Sequence, residues 1–343
     1  MIRGTRKSVT LKDIAKETGF SITTVSHALR DLSDISEATK NIVRERAQAL
    51  GYIGNASAGT LRSGRSKTVA VLLGDMSNPY FAYMSRELET QLRQYGYSAF
   101  FMNTNENEEM ERNAIILALS NQVAGIISCP VQSTGRSENI RFIQSTHTPC
   151  ILIGRHFSDL NASFVACDDR MGGLLAGRHI LERGHRRILY VDTPYQNSSA
   201  IERREGFLQA LQESPDSIRF NIVRFDEKGE YMTAIASNSA APFTAAIAYN
   251  DMIAWDLLCR VYDYHLKVPR DLSVMGFDNL HSCFPLPFAL TSVSSSKILM
   301  ARKAVELLMA QIQDPNVGVS SITLDVKLID RESVLNLNES SGL

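Results

Sequence analysis

One run near the start constrains the chain more than any other: Val9-Thr10-Leu11-Lys12-Asp13-Ile14-Ala15-Lys16-Glu17-Thr18-Gly19-Phe20-Ser21-Ile22-Thr23-Thr24-Val25-Ser26-His27-Ala28-Leu29. It predicts two short helices joined by a tight turn. Thr10 is placed to cap the first helix. Asp13, three residues on, stands in the capping-box position, although Asp replaces the usual Glu or Gln. Leu11, Ile14 and Ala15 recur at helical spacing. Gly19 falls where a sharp turn needs a positive φ, and Ser21 is placed to cap the second helix. Val25, Ala28 and Leu29 form that helix's apolar face. Ala15 is small enough for the helices to cross closely, and Val25 fills the gap between them, which is the packing of a helix-turn-helix. Thr23, Thr24, Ser26, His27 and Arg30 are left as a polar face, as base reading in a major groove requires. A helical hairpin with a merely solvated face would read similarly.

Charge separates these two readings. Over 343 residues the net charge is only −1, which suggests no nucleic-acid partner for the chain as a whole. From Met1 to Lys67, however, twelve Lys/Arg face six Asp/Glu. A basic head on a neutral body fits phosphate contact at one end. The length implies two or three units. Cys129, Cys150, Cys167, Cys259 and Cys283 are scattered and form no C-x-x-C pair. They are expected to be reduced core residues of a cytosolic protein, without a disulfide framework or zinc site. No apolar run follows the basic start and no stretch reaches eighteen apolar residues, so neither a secretory signal nor a membrane span is expected, and the location is expected to be cytoplasmic.

After the first two helices, Ser33 to Tyr52 predicts a third, capped by Ser36, with Ala38, Ile42, Val43, Ala47 and Leu50 at helical spacing before Gly51. Asn55 to Arg65 is small and polar. It reads either as a linker or as a short helical turn that orders only against a partner. From Thr68 the texture becomes alternating strands and helices. Val69–Leu73 is a continuous apolar run, the mark of a buried parallel strand. Further strands are expected at 97–102, 125–128, 149–153, 188–191, 222–225, 245–248 and 272–276, with a last one at 324–329. Helices are expected between them, including 81–95, 172–183, 201–212, 251–265 and 298–313. The expected fold is a small all-α helix-turn-helix head followed by two α/β lobes with parallel sheets. A cleft between two such lobes suits closure around a small ligand.

With both regions in view, the chain resembles the LacI/GalR family of bacterial transcription regulators. The resemblance rests on Thr10–Ala15 through Thr24-Val25-Ser26, Leu50-Gly51-Tyr52, Ala58-x-x-Leu61 and Asn78-Pro79-Tyr80-Phe81. It continues through Gly184-His185-Arg186-Arg187-Ile188, Arg203-x-x-Gly206-Phe207, Asn250-Asp251, Val274-Met275-Gly276-Phe277-Asp278 and Asp330-Arg331-Glu332-Ser333. It implies a DNA-binding domain at 1–54, a hinge helix or linker at 55–66, and an effector-binding and dimerisation core at 67–343. The core would divide into an N-subdomain of about 67–166 plus 294–321 and a C-subdomain of about 167–293 plus 322–335, in the manner of periplasmic binding proteins.

The family further implies a homodimer on a palindromic operator, with Ile22, Thr23 and His27 as the main base-reading residues. Thr10, Ser21, Thr24, Ser26, Arg30 and Asn55 would contact backbone or base edges. An apolar Ile22 suits a thymine methyl, or packs in the core instead. His27 is a base or phosphate donor, or a solvated histidine. Ala58 and Leu61 match the hinge pair, whose leucine wedges into the minor groove. Tyr80, Phe81, Arg203, Asn250 and Asp278 match effector-contacting positions, each with a surface ion pair or helix cap as its plainer explanation. Gly154 stands where several sugar-responsive relatives carry a ligand-contacting Asp. Trp255 matches a dimer-contact position, or is simply buried. The implied effector is a sugar or sugar derivative that releases the operator. Co-repression is the alternative, and a solute-binding protein without a DNA role is the reading from another class. No cofactor, metal or membrane partner is implied. Phosphate-cradling glycine loops, G-x-S-x-G and paired carboxylates with a plausible role are absent from the sequence, so no enzyme activity is expected.

Overall fold

The computed structural model describes residues 9–53, 66–131, 137–236, 242–283 and 288–339. The chain divides into two units at Gly64, a small helical one and a large α/β one.

Among the described residues, three helices build the first unit: α1 (Leu11–Thr18), α2 (Ile22–Leu29) and α3 (Glu37–Leu50). Each start is capped by the hydroxyl expected there. Thr10 makes the full capping box with Asp13, Ser21 accepts from Thr24 N–H, and Ser36 from Thr39 N–H. Gly19 and Gly51 end their helices at φ 73° and 68°, conformations a Cβ would strain. Ile14, Ala15, Val25, Ala28, Val43 and Ala47 form the core. The third helix turns differently from its expected register: Ala38 and Ile42 are exposed, and the aliphatic stem of Lys40 is buried instead. Its ammonium reaches Asp31 and Glu37, so the stem packs while the charge stays paired.

The second unit holds two six-stranded sheets. The first runs in the order β11-β5-β4-β3-β1-β2. Its strands are β1 (Thr68–Leu73), β2 (Ser98–Asn103), β3 (Gly125–Ser128), β4 (Cys150–Ile153), β5 (Phe164–Cys167) and β11 (Ser321–Leu324), all paired in parallel. The second runs β12-β10-β9-β8-β6-β7. It comprises β6 (Arg187–Asp192), β7 (Arg219–Arg224), β8 (Ala245–Ala248), β9 (Ser273–Phe277), β10 (Thr291–Ser295) and β12 (Val326–Ile329), parallel except for antiparallel β12. Strands buried on both faces, such as Val69–Leu73 and Ala245–Ala248, are apolar throughout, as parallel sheets under helices require.

Helices α4 (Pro79–Gln94), α5 (Glu108–Ser120), α6 (Glu138–Ser145) and α11 (Lys297–Gln313) belong to the first lobe. To the second belong α7 (Asp169–Glu182), α8 (Ser198–Glu213), the short α9 (Thr233–Ala236) and α10 (Asp251–Asp263). The chain crosses between lobes three times, near Asp168, Ser296 and Asp325. The expected single strand at 324–329 is therefore two strands in different sheets, divided at Asp325, and β11 carries the first lobe on to Leu324. Strand β10 went unforeseen because its buried residues are Thr291, Ser292, Val293 and Ser294, which lack an apolar signature. Polar partners make that burial tolerable: Ser292 Oγ donates to Asp251 (2.7 Å), and Thr291 N–H to Ser333 Oγ (2.7 Å).

The free cysteines depart from a uniformly buried set. Cys129 and Cys167 are buried, Cys150 and Cys283 half-buried, and Cys259 exposed. Among the described residues no helix is long and apolar enough to cross a membrane.

Candidate functional site

In the helical unit, α2 buries Val25 and Ala28 and turns Ile22 and Thr23 outward; Ile22 is 49% exposed. Core packing of Ile22 is thereby excluded within this unit. Several neighbours are engaged locally. Thr24 Oγ1 and Ser21 Oγ are 2.8 Å apart, Arg30 Nε donates to Ser26 C=O (3.1 Å), and Thr10 Oγ1 donates to Asp13 (2.7 Å). His27 is half-buried, and its Nδ1 lies 2.6 Å from Asp34, which orients the ring. Asn55, Ala58 and Leu61 lie outside the described residues.

A second site opens between the two lobes. It is a cavity of about 760 Å³ at the carboxyl ends of the strands, lined from both sides. Tyr80, Phe81, Arg203, Asn250 and Asp278 all line it, and so does Trp255, which was expected at a subunit contact or simply buried. Asn78 caps α4 by accepting from Tyr80 N–H (2.9 Å), and Pro79 pre-forms the first turn. The Tyr80 ring meets Phe81 edge-on at 5.3 Å. Asn250 performs the plainer role as well: its Oδ1 caps α10 through Ile253 N–H (2.9 Å).

Arg203 is placed by glycine. Helices α7 and α8 touch backbone to backbone, since a Cβ on Gly206 would lie 1.9 Å from Arg170 O and one on Gly173 1.9 Å from Arg203 O. That contact holds Arg203 deep in the second lobe. Its Nε bonds Asp169 (2.7 Å), Nη1 bonds Tyr249 C=O (2.8 Å), and Nη2 stands 3.5 Å from Asp278. The guanidinium also covers the Phe277 ring at 3.5 Å. Burial opposes its charge, but Asp169, Tyr249 and Asp278 outweigh burial and hold it charged. Asp278 sits at φ 99° and Asn279 at φ 48°, a turn rarely tolerated outside glycine. Lys297, from α11 of the other lobe, donates to Asp278 C=O across the gap. Burial pushes the Asp278 carboxyl up to about 6, against the pull of Arg203 and Lys297.

The first lobe carries a counterpart that no sequence motif announced. Arg155 donates to both oxygens of Glu106 (2.6 and 2.7 Å) and to Pro130 C=O (3.0 Å). Glu106 reaches it from another pair of positive-φ residues, Asn105 (48°) and Glu106 (52°). Gly74 makes room, because a Cβ there would lie 2.2 Å from Glu106 Oε1. The residue before Arg155, Gly154, has φ 74° and contributes only backbone, accepting from Ser199 Oγ of the second lobe (3.0 Å). An Asp in that conformation would be strained, so the departure at Gly154 is built into the backbone. His156 N–H also bonds Ser198 Oγ (3.1 Å), and His156 Nε2 pairs with Glu202 at 3.2 Å. Asp169, Glu106 and Arg155 were missed because each pairs with a residue 34 to 49 positions away. Among the described residues no group of three His, Cys, Asp or Glu side chains could hold a metal ion.

The comparisons with known proteins agree in both units. Residues 10–55 match bacterial regulatory proteins of the lacI family, and residues 178–334 the periplasmic binding protein-like domain. The HTH-type transcriptional repressor PurR of Photorhabdus laumondii is 30% identical over 339 residues, covering 95% of this chain and 97% of the relative. That of Pasteurella multocida is 27% identical over 330 residues, covering 95% and 98%. Among solved structures, the lac repressor dimer bound to operator and the anti-inducer ONPF shares the fold with a TM-score of 0.79 at 22% identity, over 96% of this chain and 100% of that one. A LacI family transcriptional regulator from Enterococcus faecium with bound ribose has a TM-score of 0.67 at 27% identity, over 79% and 99%. With a capped helix-turn-helix, a two-lobed cleft and relatives matched nearly end to end, the chain belongs to the LacI/GalR family of bacterial transcription regulators and is a ligand-responsive DNA-binding repressor.

Proposed function

We propose that the protein represses transcription as a homodimer on a palindromic operator and is released by a small polar effector held in the interlobe cleft. Ile22, Thr23 and His27 read bases, while Thr10, Ser21, Thr24, Ser26 and Arg30 hold the helix on the phosphates. His27 acts through Nε2, its other nitrogen being tied to Asp34. Asn55, Ala58 and Leu61 form the hinge that enters the minor groove. Tyr80, Phe81, Arg203, Asn250 and Asp278 contact the effector. The place of Trp255 on the cavity wall supports a ligand contact better than a subunit contact.

One observation carries the effector reading. The cleft is lined from both lobes, and its central ion pair, Arg203 with Asp278, stands at 3.5 Å, wide enough for ligand hydroxyls to bond both members. A relative solved with ribose supports a carbohydrate-like effector. Effector binding shifts the lobes about their three crossings and changes the hinge spacing, so operator and effector oppose each other reciprocally. The test is an operator selected from random duplexes, followed by an effector screen on that complex. Asp278→Ala is expected to abolish release while leaving operator affinity intact. A variant that still responds would place the effector elsewhere.

A further inference from the structure

The charge of the cleft defines the ligand class more narrowly than its shape does. Its described lining carries six carboxylates, Asp75, Glu106, Asp226, Glu227, Asp256 and Asp278, but only two cations, Arg155 and Arg203. Both guanidiniums are already committed. Arg155 spends its charge on the two oxygens of Glu106, and Arg203 on Asp169 and Asp278. Two further cations stand just behind the wall, and both are held. Arg260 bonds Asp256 (2.6 Å) and the carbonyls of Glu227 and Lys228 (2.7 and 3.2 Å), while Lys297 bonds the Asp278 carbonyl. Helix N-termini attract anions as well, and at those of α4, α8 and α10 the side-chain oxygen of Asn78, Asn197 or Asn250 already occupies one donor.

Three carboxylates remain without an ion pair among the described residues. Asp75 accepts only from Ser77 (2.9 and 2.7 Å), Asp226 accepts backbone N–H groups of Glu230 and Tyr231, and Glu227 is exposed. Asp75 belongs to the first lobe and the other two to the second, and all three line the same cavity as Tyr195. The Tyr195 phenol on the cavity wall is pushed up by burial and then by the charges of Glu106, Asp75 and Glu227, with Arg155 opposing. Tyr195, Phe225 and Trp255 add aromatic surface to the same cavity. Carboxylates beside aromatic faces attract a cationic amine. A phosphate would meet the same charges, and both cations of the described lining are already committed.

We propose that the effector is a polyhydroxylated compound without phosphate or carboxylate groups, and that a positively charged amine, seated among Asp75, Glu227 and Tyr195, strengthens its binding. The proposal rests on the cleft being the effector site. The test titrates the full chain by calorimetry and thermal shift at pH 7. The probes are matched sets of pentoses, hexoses and nucleosides, each as the free compound, its amino derivative and its phosphate ester. In any set that binds, the phosphate ester is expected to bind at least 100-fold more weakly than the free compound, and the amino derivative at least threefold more tightly. The double variant Asp75→Asn with Glu227→Gln is expected to erase the amine's advantage. A phosphate ester that binds as tightly as its parent overturns the proposal, as does an amine advantage that survives in the double variant. Binding unchanged by Arg203→Met, or none in any set, overturns the cleft assignment and this inference with it.

Discussion

Each lobe buries one arginine at the carboxyl ends of its strands, and each arginine meets a carboxylate presented by two consecutive residues of positive φ. The likeness ends there. Arg155 has a single carboxylate partner, gripped through both oxygens and shielded from water on both sides, with the Pro130 carbonyl as its other bond. Arg203 divides itself among Asp169, a carbonyl and two aromatic rings, and keeps Asp278 at a looser distance. The first arrangement is closed and shapes its loop. The second has a member that a ligand can recruit without leaving the arginine bare, because Asp169 stays. A binding site needs this second kind of pair, since opening a lone buried pair strands a charge.

Removing the first pair's carboxylate should have the largest effect. Glu106→Ala leaves Arg155 buried without a counter-charge and is expected to cost about 3–5 kcal/mol in denaturant unfolding of the core. A loss below about 1 kcal/mol would erase the distinction between the two lobes. Gly206→Ala comes next, since its Cβ must separate α7 from α8. Overpacking of this kind costs about 1–3 kcal/mol, and effector affinity should fall with it because Arg203 rides on α8. Unchanged affinity alongside lost stability would mean that the helix contact does not position the arginine.

Asp278→Asn sharpens the contrast from the other side. Asn tolerates positive φ, and Asp169 still balances Arg203. Stability is expected to change by less than about 1 kcal/mol, within the range of ordinary polar substitutions, while effector affinity drops about tenfold or more, a hydrogen bond to a charged group being worth roughly 1.5–3 kcal/mol. A large stability loss would make Asp278 a structural partner like Glu106. The pH dependence has a definite sign. The folded pKa of Asp278 is raised to about 6 from 3.8, so its contribution to stability is full below 3.8 and lost as pH rises through about 6. Ligand hydroxyls donate to the ionised form, so effector affinity should climb over the same interval in calorimetry between pH 5 and 7.5. A flat profile would remove Asp278 from the contact.

The smallest expected effect concerns what joins the lobes. The hydrogen bond that His156 donates to Glu202 raises the pKa of His156 above its usual 6.5, against burial. A raised folded pKa means the stabilisation is complete below 6.5 and disappears as pH rises through the folded value. Melting curves of the native protein and of Glu202→Gln should therefore differ at pH 6 and converge by pH 8. A difference that grows with pH would reverse the assignment.

How much of this was legible beforehand follows from sequence distance. Thr10 with Asp13, Ser21 with Thr24, and Gly19 after Ala15 act within one helical turn, so residue spacing alone reveals them. The parallel strands were legible where burial on both faces makes them apolar throughout. Strand β10 was not, because serines and threonines line it and find their partners 40 or more residues away. The run at 324–329 looked continuous because nothing local marks Asp325 as the point where the chain changes sheets.

The sequence by itself determined the helix-turn-helix, the two-lobed α/β plan and the family, since each depends on local spacing or on ordered short motifs. Only the tertiary structure decided which side chains face each other across the cleft. Buried charge demands a specific partner, whichever part of the chain supplies it, and Glu106 with Arg155 and Asp169 with Arg203 become visible only once folding has brought those distant residues together.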